Sequence, residues 1–450
     1  MIRRIINCKI KRNTQDQLIL HLNHALNRLG FFISLQIMDK SKRSLLILIL
    51  GLLSAIGPFS IDMYLPGFPA IAENLHTTVD RVAYSLTSFF IGICAGQLLC
   101  GPLLDRFGRK TPLCIGLVLY ILASIGCSLS KSVEVLIAFR FLQAIGGCVG
   151  MVAPNAIVRD VFPVEENAKV FSMLILILGV SPILAPTVGS YIISAFGWPI
   201  VFVVLTIVTA LVLVAVIIWL PETKRPDPTF SLKPGPILKG FADVIKQPQF
   251  ATYAFAGAIA SAGLFAYLAG SPFVFMELYG VSDTQYGWIF GAIAAGLIGC
   301  SQLNNVLLKK YSSAQVIKVV LLTQSAVGLI LVIGIATGLL GLYSTIFLMF
   351  LFLSCQGFTF PNSAALAMAP FTKGAGSASA LMGAFQMACG AIASALVGVF
   401  FNSTAIPLAA IMASCSSLGS VILLIGHRRI EYKVRMEDVE QQRLEMIEKY

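Results

Sequence analysis

The sequence predicts an all-α membrane protein: twelve transmembrane helices in two pseudo-symmetric six-helix bundles, with both termini cytoplasmic. Three observations lead there. Hydrophobic residues make up 57% of the chain and charged residues only 12%, at a mean hydropathy of +0.86; a soluble chain carries about 25% charged residues. Apolar runs long enough to cross a bilayer recur twelve times. One polar stretch, Pro221–Pro248, divides them six and six.

Residues 1–37 carry Arg3, Arg4, Lys9, Lys11 and Arg12, then an amphipathic stretch from Gln17 to Ile37. No small-residue cleavage site follows a compact apolar core, so this is not a cleavable signal. One reading is a helix lying on the inner leaflet. The favoured one is that translation starts at Met38, where Met-Asp-Lys-Ser-Lys-Arg leads into the first span. The expected organisation is an extension over 1–43, a bundle over 44–220, a cytoplasmic linker over 221–249, a bundle over 250–426 and a charged tail over 427–450.

The runs lie at roughly 45–66, 82–101, 112–129, 134–157, 169–192, 199–220, 250–272, 284–308, 316–338, 341–365, 376–400 and 405–426. Several are joined by very short loops, which makes them antiparallel neighbours. An even number returns the chain to its starting side. With the N-terminus inside, 29 of the 32 Lys and Arg fall on cytoplasmic segments; Arg81 and Lys131 lie outside and Arg140 within a span. That asymmetry is the positive-inside rule. The net charge of +11 is therefore a topology signal, and no nucleic-acid partner is expected.

The linker opens Pro-Glu-Thr-Lys-Arg-Pro-Asp-Pro, whose prolines end the sixth span and keep the chain extended; its later half has the pattern of a short interfacial helix. The tail after His427 alternates acid and base and reads as a solvated helix or as disorder. The halves are weakly self-similar. Gly150, Pro154, Asn155 and Pro163 recur 207 residues later as Gly357, Pro361, Asn362 and Pro370, as parallel transporter repeats would.

Asp62 organises the reading. From Leu45 to Ala72 it is the only charged side chain. A carboxylate near mid-span costs ~2.5–3.5 kcal/mol on insertion scales, so it persists where it has a function or reaches water at the membrane edge. Arg140 is the second intramembrane charge, about six residues (~9 Å) from the outer end of the fourth span. Asp62 lies toward the outer half of the first, so the two are expected to meet at similar depth, with a purely structural lock between helices as the alternative. Phe59, Tyr64, Tyr253 and Tyr267 are candidates for an aromatic cavity wall, with Gln143, Asn155 and Asn362 as polar candidates; aromatics on apolar helices otherwise serve packing.

The turn after the second span reads Gly101-Pro-Leu-Leu-Asp105-Arg106-Phe-Gly108-Arg109-Lys110. Gly101 would permit close helix approach and Gly108 a tight turn. Asp105 would take hydrogen bonds from a helix N-terminus or pair with a base, and the bases meet the inner leaflet. By itself this is an ordinary basic turn. The fifth span contains Gly179-Val-Ser-Pro182-Ile-Leu-Ala-Pro186-Thr-Val-Gly189, which suggests a deformable helix or a static kink.

Nine of the ten cysteines fall inside apolar runs and no CxxC pair occurs, so buried free thiols are expected, with no metal site and no cofactor. No phosphate-binding loop or His-Glu-x-x-His motif is present, which argues against an enzyme or an ATP-driven pump. A receptor or scaffold would not need charges at Asp62 and Arg140.

Gly101–Lys110 resembles the helix 2–3 signature of the major facilitator superfamily, Gly-x-Leu-x-Asp-Arg-x-Gly-Arg-Lys. Arg140, Gln143 and Gly146 resemble its fourth-helix motif. Gly179–Gly189 is similar to its fifth-helix antiporter motif, and Asp62-Met-Tyr-Leu-Pro66 to the first-helix motif of twelve-helix drug/proton antiporters. Together with Ala185-Pro186 these resemble the bicyclomycin/chloramphenicol resistance branch (Bcr/CflA), over about 45 to 426. The resemblance implies a proton-coupled drug exporter of a bacterial inner membrane, monomeric, with a small drug-like substrate and the proton as partners. Arg140 would serve proton coupling, Asp105 and Arg109 a cytoplasmic gate, and Pro182, Pro186 and Gly189 a hinge. An exporter or importer of an endogenous metabolite is the alternative. Ala185 and Ser190 replace two expected glycines, which predicts slightly looser packing there. The second-half counterpart of the turn, around Asn304–Ser313, has Lys309 and Lys310 but no acid, so gating should rest on the first half.

Overall fold

The computed structural model describes residues 40–162, 164–224, 226–227, 234–371 and 375–448; the expectations for residues 1–37, including a start at Met38, lie outside them. Twelve helices long and apolar enough to cross a membrane are present among these residues. We label them α1 (Lys40–Asp62), α2 (Val79–Phe107), α3 (Lys110–Ser128), α4 (Val133–Val161), α5 (Val164–Phe196), α6 (Pro199–Trp219), α7 (Pro248–Pro272), α8 (Asp283–Leu307), α9 (Ser313–Ala336), α10 (Leu342–Met368), α11 (Ala375–Val399) and α12 (Ile406–Glu448). A helix at Pro234–Ile245 occupies the later half of the linker, and α12 runs on through the charged tail.

Local chemistry places several starts. Ser132 caps α4 by accepting from the Val135 N–H at 3.4 Å, and Ser282 and Ser312 close reciprocal capping boxes with Gln285 and Gln315 on α8 and α9. Each cap satisfies an N–H that the helix itself leaves open. Prolines persist inside α1, α2, α4, α5 and α10, tolerated because neighbouring helices cover the freed backbone.

The first helix of each half breaks at the same end of the molecule. α1 stops at Asp62 and passes through a 3-10 turn, Leu65–Gly67, into the short helix Phe68–Asn74. α7 gives way at Pro272 to a single π turn, Phe273–Leu278. Asp62 therefore ends a helix, where the sequence placed it inside a continuous span.

α2 packs on α11 and α5 on α8 to join the halves, and Leu65–Gly67 rests on α7 and α8 while Phe68–Asn74 meets Phe273–Leu278. Phe90 meets Phe265 edge-on at 4.7 Å, and Thr87 Oγ1 lies 2.7 Å from Ser394 Oγ. At the opposite end, which carries the Asp105 turn, α4 and α10 share no extended packed face among the described residues. The seam is thus closed at the broken-helix end, with α4 and α10 parted at the turn end.

Glycines are not equivalent along this seam. A Cβ on Gly189 would strike the Met63 carbonyl, so α5 crosses the end of α1 at backbone contact. Gly101, expected to admit a neighbouring helix, has nothing within 4 Å of its Cβ position. Looser packing around Ala185 and Ser190 is likewise not found: both are fully buried. Gly189→Ala should therefore lower thermal stability in detergent by about 1–3 kcal/mol. Gly101→Ala should leave it unchanged or raised by up to about 1 kcal/mol.

Candidate functional site

Three residues spaced by three on α4 share one face, and each meets a different need. Arg140 is fully buried. Its Nη1 donates to Gln143 Oε1 at 2.6 Å and its Nη2 to the Ser60 carbonyl at 3.0 Å. Gln143 Nε2 in turn donates to Ser124 Oγ at 2.7 Å on α3. Gly146 lets α3 approach, because a Cβ there would lie 2.6 Å from both the Gly116 carbonyl oxygen and the Tyr120 N. The guanidinium faces the rings of Phe89 (4.1 Å), Tyr64 (4.3 Å) and Phe202 (5.8 Å), and its Nε has no hydrogen-bond acceptor. Aromatic faces contribute about 0.5–2 kcal/mol each to holding a desolvated cation.

Ser60 lies in the last turn of α1, where carbonyls lack intrahelical partners and carry the negative end of the helix dipole. Arg140 supplies the missing donor. The Ser60 hydroxyl completes the junction, 2.5 Å from the Tyr120 hydroxyl and donating to the Ile56 carbonyl. The broken end of α1 is thereby fastened to α3 and α4.

Asp62 does not pair with Arg140, contrary to the sequence expectation: no ion pair joins them among the described residues. Two residues on a helix are about 200° apart, so the carboxylate leaves α1 on the side away from Ser60 and its guanidinium. Asp62 is 5% exposed, the only buried acid among the described residues. The turn just after it, Leu65–Gly67, rests on α7 and α8, so α1 ends where the first bundle meets the second, beside the crossing of α5 at Met63.

The cavity candidates scatter. Tyr64 and Gln143 face Arg140 inside the first bundle, with the Tyr64 hydroxyl 3.1 Å from Ser85 Oγ. Tyr253 is buried in the second bundle with its hydroxyl 3.0 Å from His427 Nδ1, a tie between α7 and α12. Asn362 is buried too and donates to Asn304 Oδ1 at 2.7 Å, joining α10 to α8. The hydrogen bonds these four make lie within one bundle, while Asn362 Oδ1 is buried without a partner among the described residues. Asn155 is exposed near the turn end and Phe59 is half-buried. Tyr267 is buried on α7 with its ring 5.8 Å from Phe290 of α8.

In the turn, Arg109 is buried and donates to Asp160 Oδ2 at 2.7 Å and Asp105 Oδ1 at 3.1 Å. Its desolvation alone would lower its proton affinity; the two carboxylates outweigh that and raise its pKa above the usual arginine value. Lys224 Nζ reaches Asp105 at 2.5 Å, and Glu222 accepts from the N–H groups of Arg109 (2.6 Å) and Lys110 (3.1 Å) at the start of α3. Gly108 turns at φ +83°, with Glu222 2.9 Å from where a Cβ would be. Arg106 stacks on Phe107 at 5.8 Å. Hence Asp105 pairs with bases, and the beginning of the linker docks on the turn.

Sequence reasoning did not single out Ser60, Ser124, Phe89, Phe202, Asp160, Glu222 or Lys224. For Glu222 a signal existed: an acid immediately after the sixth span can reach an unpaired helix N-terminus. For the others no local pattern marks which face of an apolar helix turns inward. Gln143→Leu should cost about 1–3 kcal/mol of thermal stability by stripping an acceptor from a buried guanidinium. Glu222→Ala, at the more accessible turn, should cost about 1 kcal/mol. Unfolding of both variants in one detergent checks the order.

The description of the Major Facilitator Superfamily matches residues 48–398. The uncharacterized MFS-type transporter YdgK of Bacillus subtilis (strain 168) is 34% identical over 387 residues, 84% of this chain and 94% of that protein. A bicyclomycin resistance protein homolog of Haemophilus influenzae is 32% identical over 369 residues, covering 82% and 92%. The multidrug resistance protein MdtL of Escherichia coli is 30% identical over 339 residues, covering 74% and 83%. Among solved structures, a D-xylose-proton symporter superposes with a TM-score of 0.67 at 15% identity, over 84% of this chain and 96% of that one. That likeness concerns the fold alone. With the family description over most of the chain, relatives of the Bcr/CflA kind and twelve apolar helices, this protein belongs to the major facilitator superfamily, as a multi-pass inner-membrane transporter.

Proposed function

We propose that this protein is a proton-coupled efflux antiporter that exports small amphipathic antibiotics or related compounds by alternating access. The observation that carries the proposal is Asp62: among the described residues the one buried acid, without an ion-pair partner, at the junction of the two bundles. An ionised carboxylate held there in a closed seam is costly, and either a proton or a cationic or hydrogen-bonding group of a substrate relieves the cost. Proton and substrate thus compete for one side chain. A proton moving down the gradient contributes about 2.3 kcal/mol per 100 mV. Arg140 anchors the end of α1 through the Ser60 carbonyl, which leaves the change of charge to Asp62. The drug-resistance names of the relatives from H. influenzae and E. coli support a drug-like cargo.

The bundles over 44–220 and 250–426 would rock about this junction, with the linker over 221–249 between them. Positive-inside counting puts the turn end in the cytoplasm, so the parted seam is an inward-facing cleft. Asp105, Arg109, Lys110 and the docked Glu222 and Lys224 would form the cytoplasmic gate, and Gly179, Pro182, Pro186 and Gly189 the flexible wall. Phe59, Tyr64 and Tyr267 are the aromatic candidates for the cavity wall in the elements around the acid. The protein would act as a monomer.

Asp62→Asn should abolish proton-driven efflux while the protein still inserts. A drug-susceptibility panel in an efflux-deficient host finds a cargo, and proton movement in everted vesicles on its addition reads the coupling. Wild-type proton release by the Asp62→Asn variant would sink the proposal; substrate-driven proton movement of the opposite sign would make the protein a symporter.

A further inference from the structure

A carbonyl oxygen can only accept, and inside the second bundle that sets the direction of a chain of hydrogen bonds. Gln324 of α9 is fully buried, and its Nε2 donates to the Phe352 carbonyl at 3.2 Å and to Gln356 Oε1 at 3.3 Å. Phe352 offers only an acceptor there, so Gln324 turns its NH2 that way and Gln356 answers with its oxygen. The NH2 of Gln356 then points to α7, where it donates to Ser261 Oγ. Ser261 is 1% exposed, and its own proton has no acceptor among the described residues. Ser54, Ser124 and Ser325 each return theirs to the carbonyl four residues back. Ser261 does not.

The spare donor stands in the wall of a recess between α7, α10 and α11, which Ser363 and Gln386 also line. Gly257 lets α10 bring Ser363 up to α7, because a Cβ there would strike the Ser363 side chain. Ser363 Oγ donates to the Phe360 carbonyl at 3.0 Å, which leaves its lone pairs to accept. Gln386 is half-buried and makes no hydrogen bond among the described residues. Ala254, Ala258, Ser261 and Phe265 follow at four, three and four residues, so they share one face of α7. Phe265 meets Phe90 of the first bundle edge-on at 4.7 Å. The recess therefore lies on the side of the second bundle turned to the first, between that contact and the turn end where α7 begins.

No residue lining the recess is charged. An ammonium or a carboxylate would shed its water there with no counter-charge to meet it. The empty space, open mouth included, is about 230 Å³. Pockets that enclose a whole ligand run to about 300–1,000 Å³, so this one receives a single functional group. It offers one donor, at Ser261, and one acceptor, at Ser363. The neutral group that carries the complementary pair side by side is an amide, with its C=O and its N–H.

We infer that this recess is a subsite for an uncharged secondary amide, with Ser261 Oγ donating to the amide oxygen and Ser363 Oγ accepting its N–H. That this amide belongs to an exported cargo rests on the efflux reading given under Proposed function; the subsite itself rests on the recess and its polar groups.

Ligand-observed fluorine NMR tests this on the full chain in lipid nanodiscs, with empty nanodiscs subtracted for partition into lipid. The probes are 4-fluoroacetanilide and its ester analogue 4-fluorophenyl acetate, which share the shape and the C=O while only the amide carries an N–H. The wild type should bind the amide about three- to tenfold more tightly than the ester, the worth of one neutral hydrogen bond. Ser363→Ala should remove most of that preference by weakening the amide alone. Ser261→Ala should weaken both probes about three- to tenfold and keep the amide preferred. Ala258→Val fills the recess without removing a polar group, so it should weaken both probes even where Ser261→Ala fails to fold. Equal binding of the two probes by the wild type overturns the inference, as does a full preference in Ser363→Ala or unchanged affinities in Ala258→Val. Efflux is read separately: an exported drug with no amide preference leaves the efflux reading standing and removes the subsite. An amide preference that Ser363→Ala abolishes, in a protein that exports nothing from the drug panel, keeps the subsite and removes the efflux reading.

Discussion

A guanidinium that pairs with no carboxylate among the described residues holds the end of α1. Hydrocarbon offers no water to complete a helix terminus, so each unpaired carbonyl at a break must find a donor in the protein. Arg140 gives one N–H to Ser60 and another to Gln143, and the aromatic faces of Phe89, Tyr64 and Phe202 shield the rest. An acid in place of this neutral shell would make a buried ion pair, whose desolvation cost offsets much of its attraction. It would also fix Asp62 in one charge state. Neutral acceptors hold the cation and leave Asp62 outside its shell.

The remainder of the junction follows from that fastening. α1 can stop at Asp62 because its last turn is tied to α3 and α4. The chain can then bend through Leu65–Gly67 onto the second bundle, while α5 crosses at Met63 with only Gly189 small enough to pass. Closure of this end and placement of the acid are one construction. At the other end the chain uses charge: Asp105, Arg109, Asp160 and Lys224 form a partly solvated network, with Glu222 on the first N–H groups of α3. Water there screens each pair, so the network can yield during a conformational change at modest cost. The two ends thus differ in the physics that holds them, dry hydrogen bonds at one and screened ion pairs at the other.

Much of this was legible in the amino-acid order and some was not. Twelve runs of spanning length, the polar divide and the isolation of Asp62 and Arg140 are local facts. The Arg140–Gln143–Gly146 spacing announces a shared helix face, and the structure shows each member at a separate task. The expected Asp62–Arg140 pair failed for a reason invisible along the chain: the residue that Arg140 touches is Ser60, and Asp62 leaves the helix on another side. Tyr64, Tyr253, Gln143 and Asn362 were legible as polar or aromatic groups in apolar helices, but their inward contacts were not.

What the sequence by itself determined is depth: how many times the chain crosses, where charge is carried into the membrane, and which prolines and glycines interrupt a run. Those follow from the transfer cost of each residue, which is additive along a helix. What the tertiary structure decided is azimuth. A membrane helix is apolar on every side, so no amphipathic period says which face meets lipid, a neighbour or the seam. Only packing settles that, and it put Arg140 inside one bundle and Asp62 at the end of α1, just before the turn that rests on the second bundle.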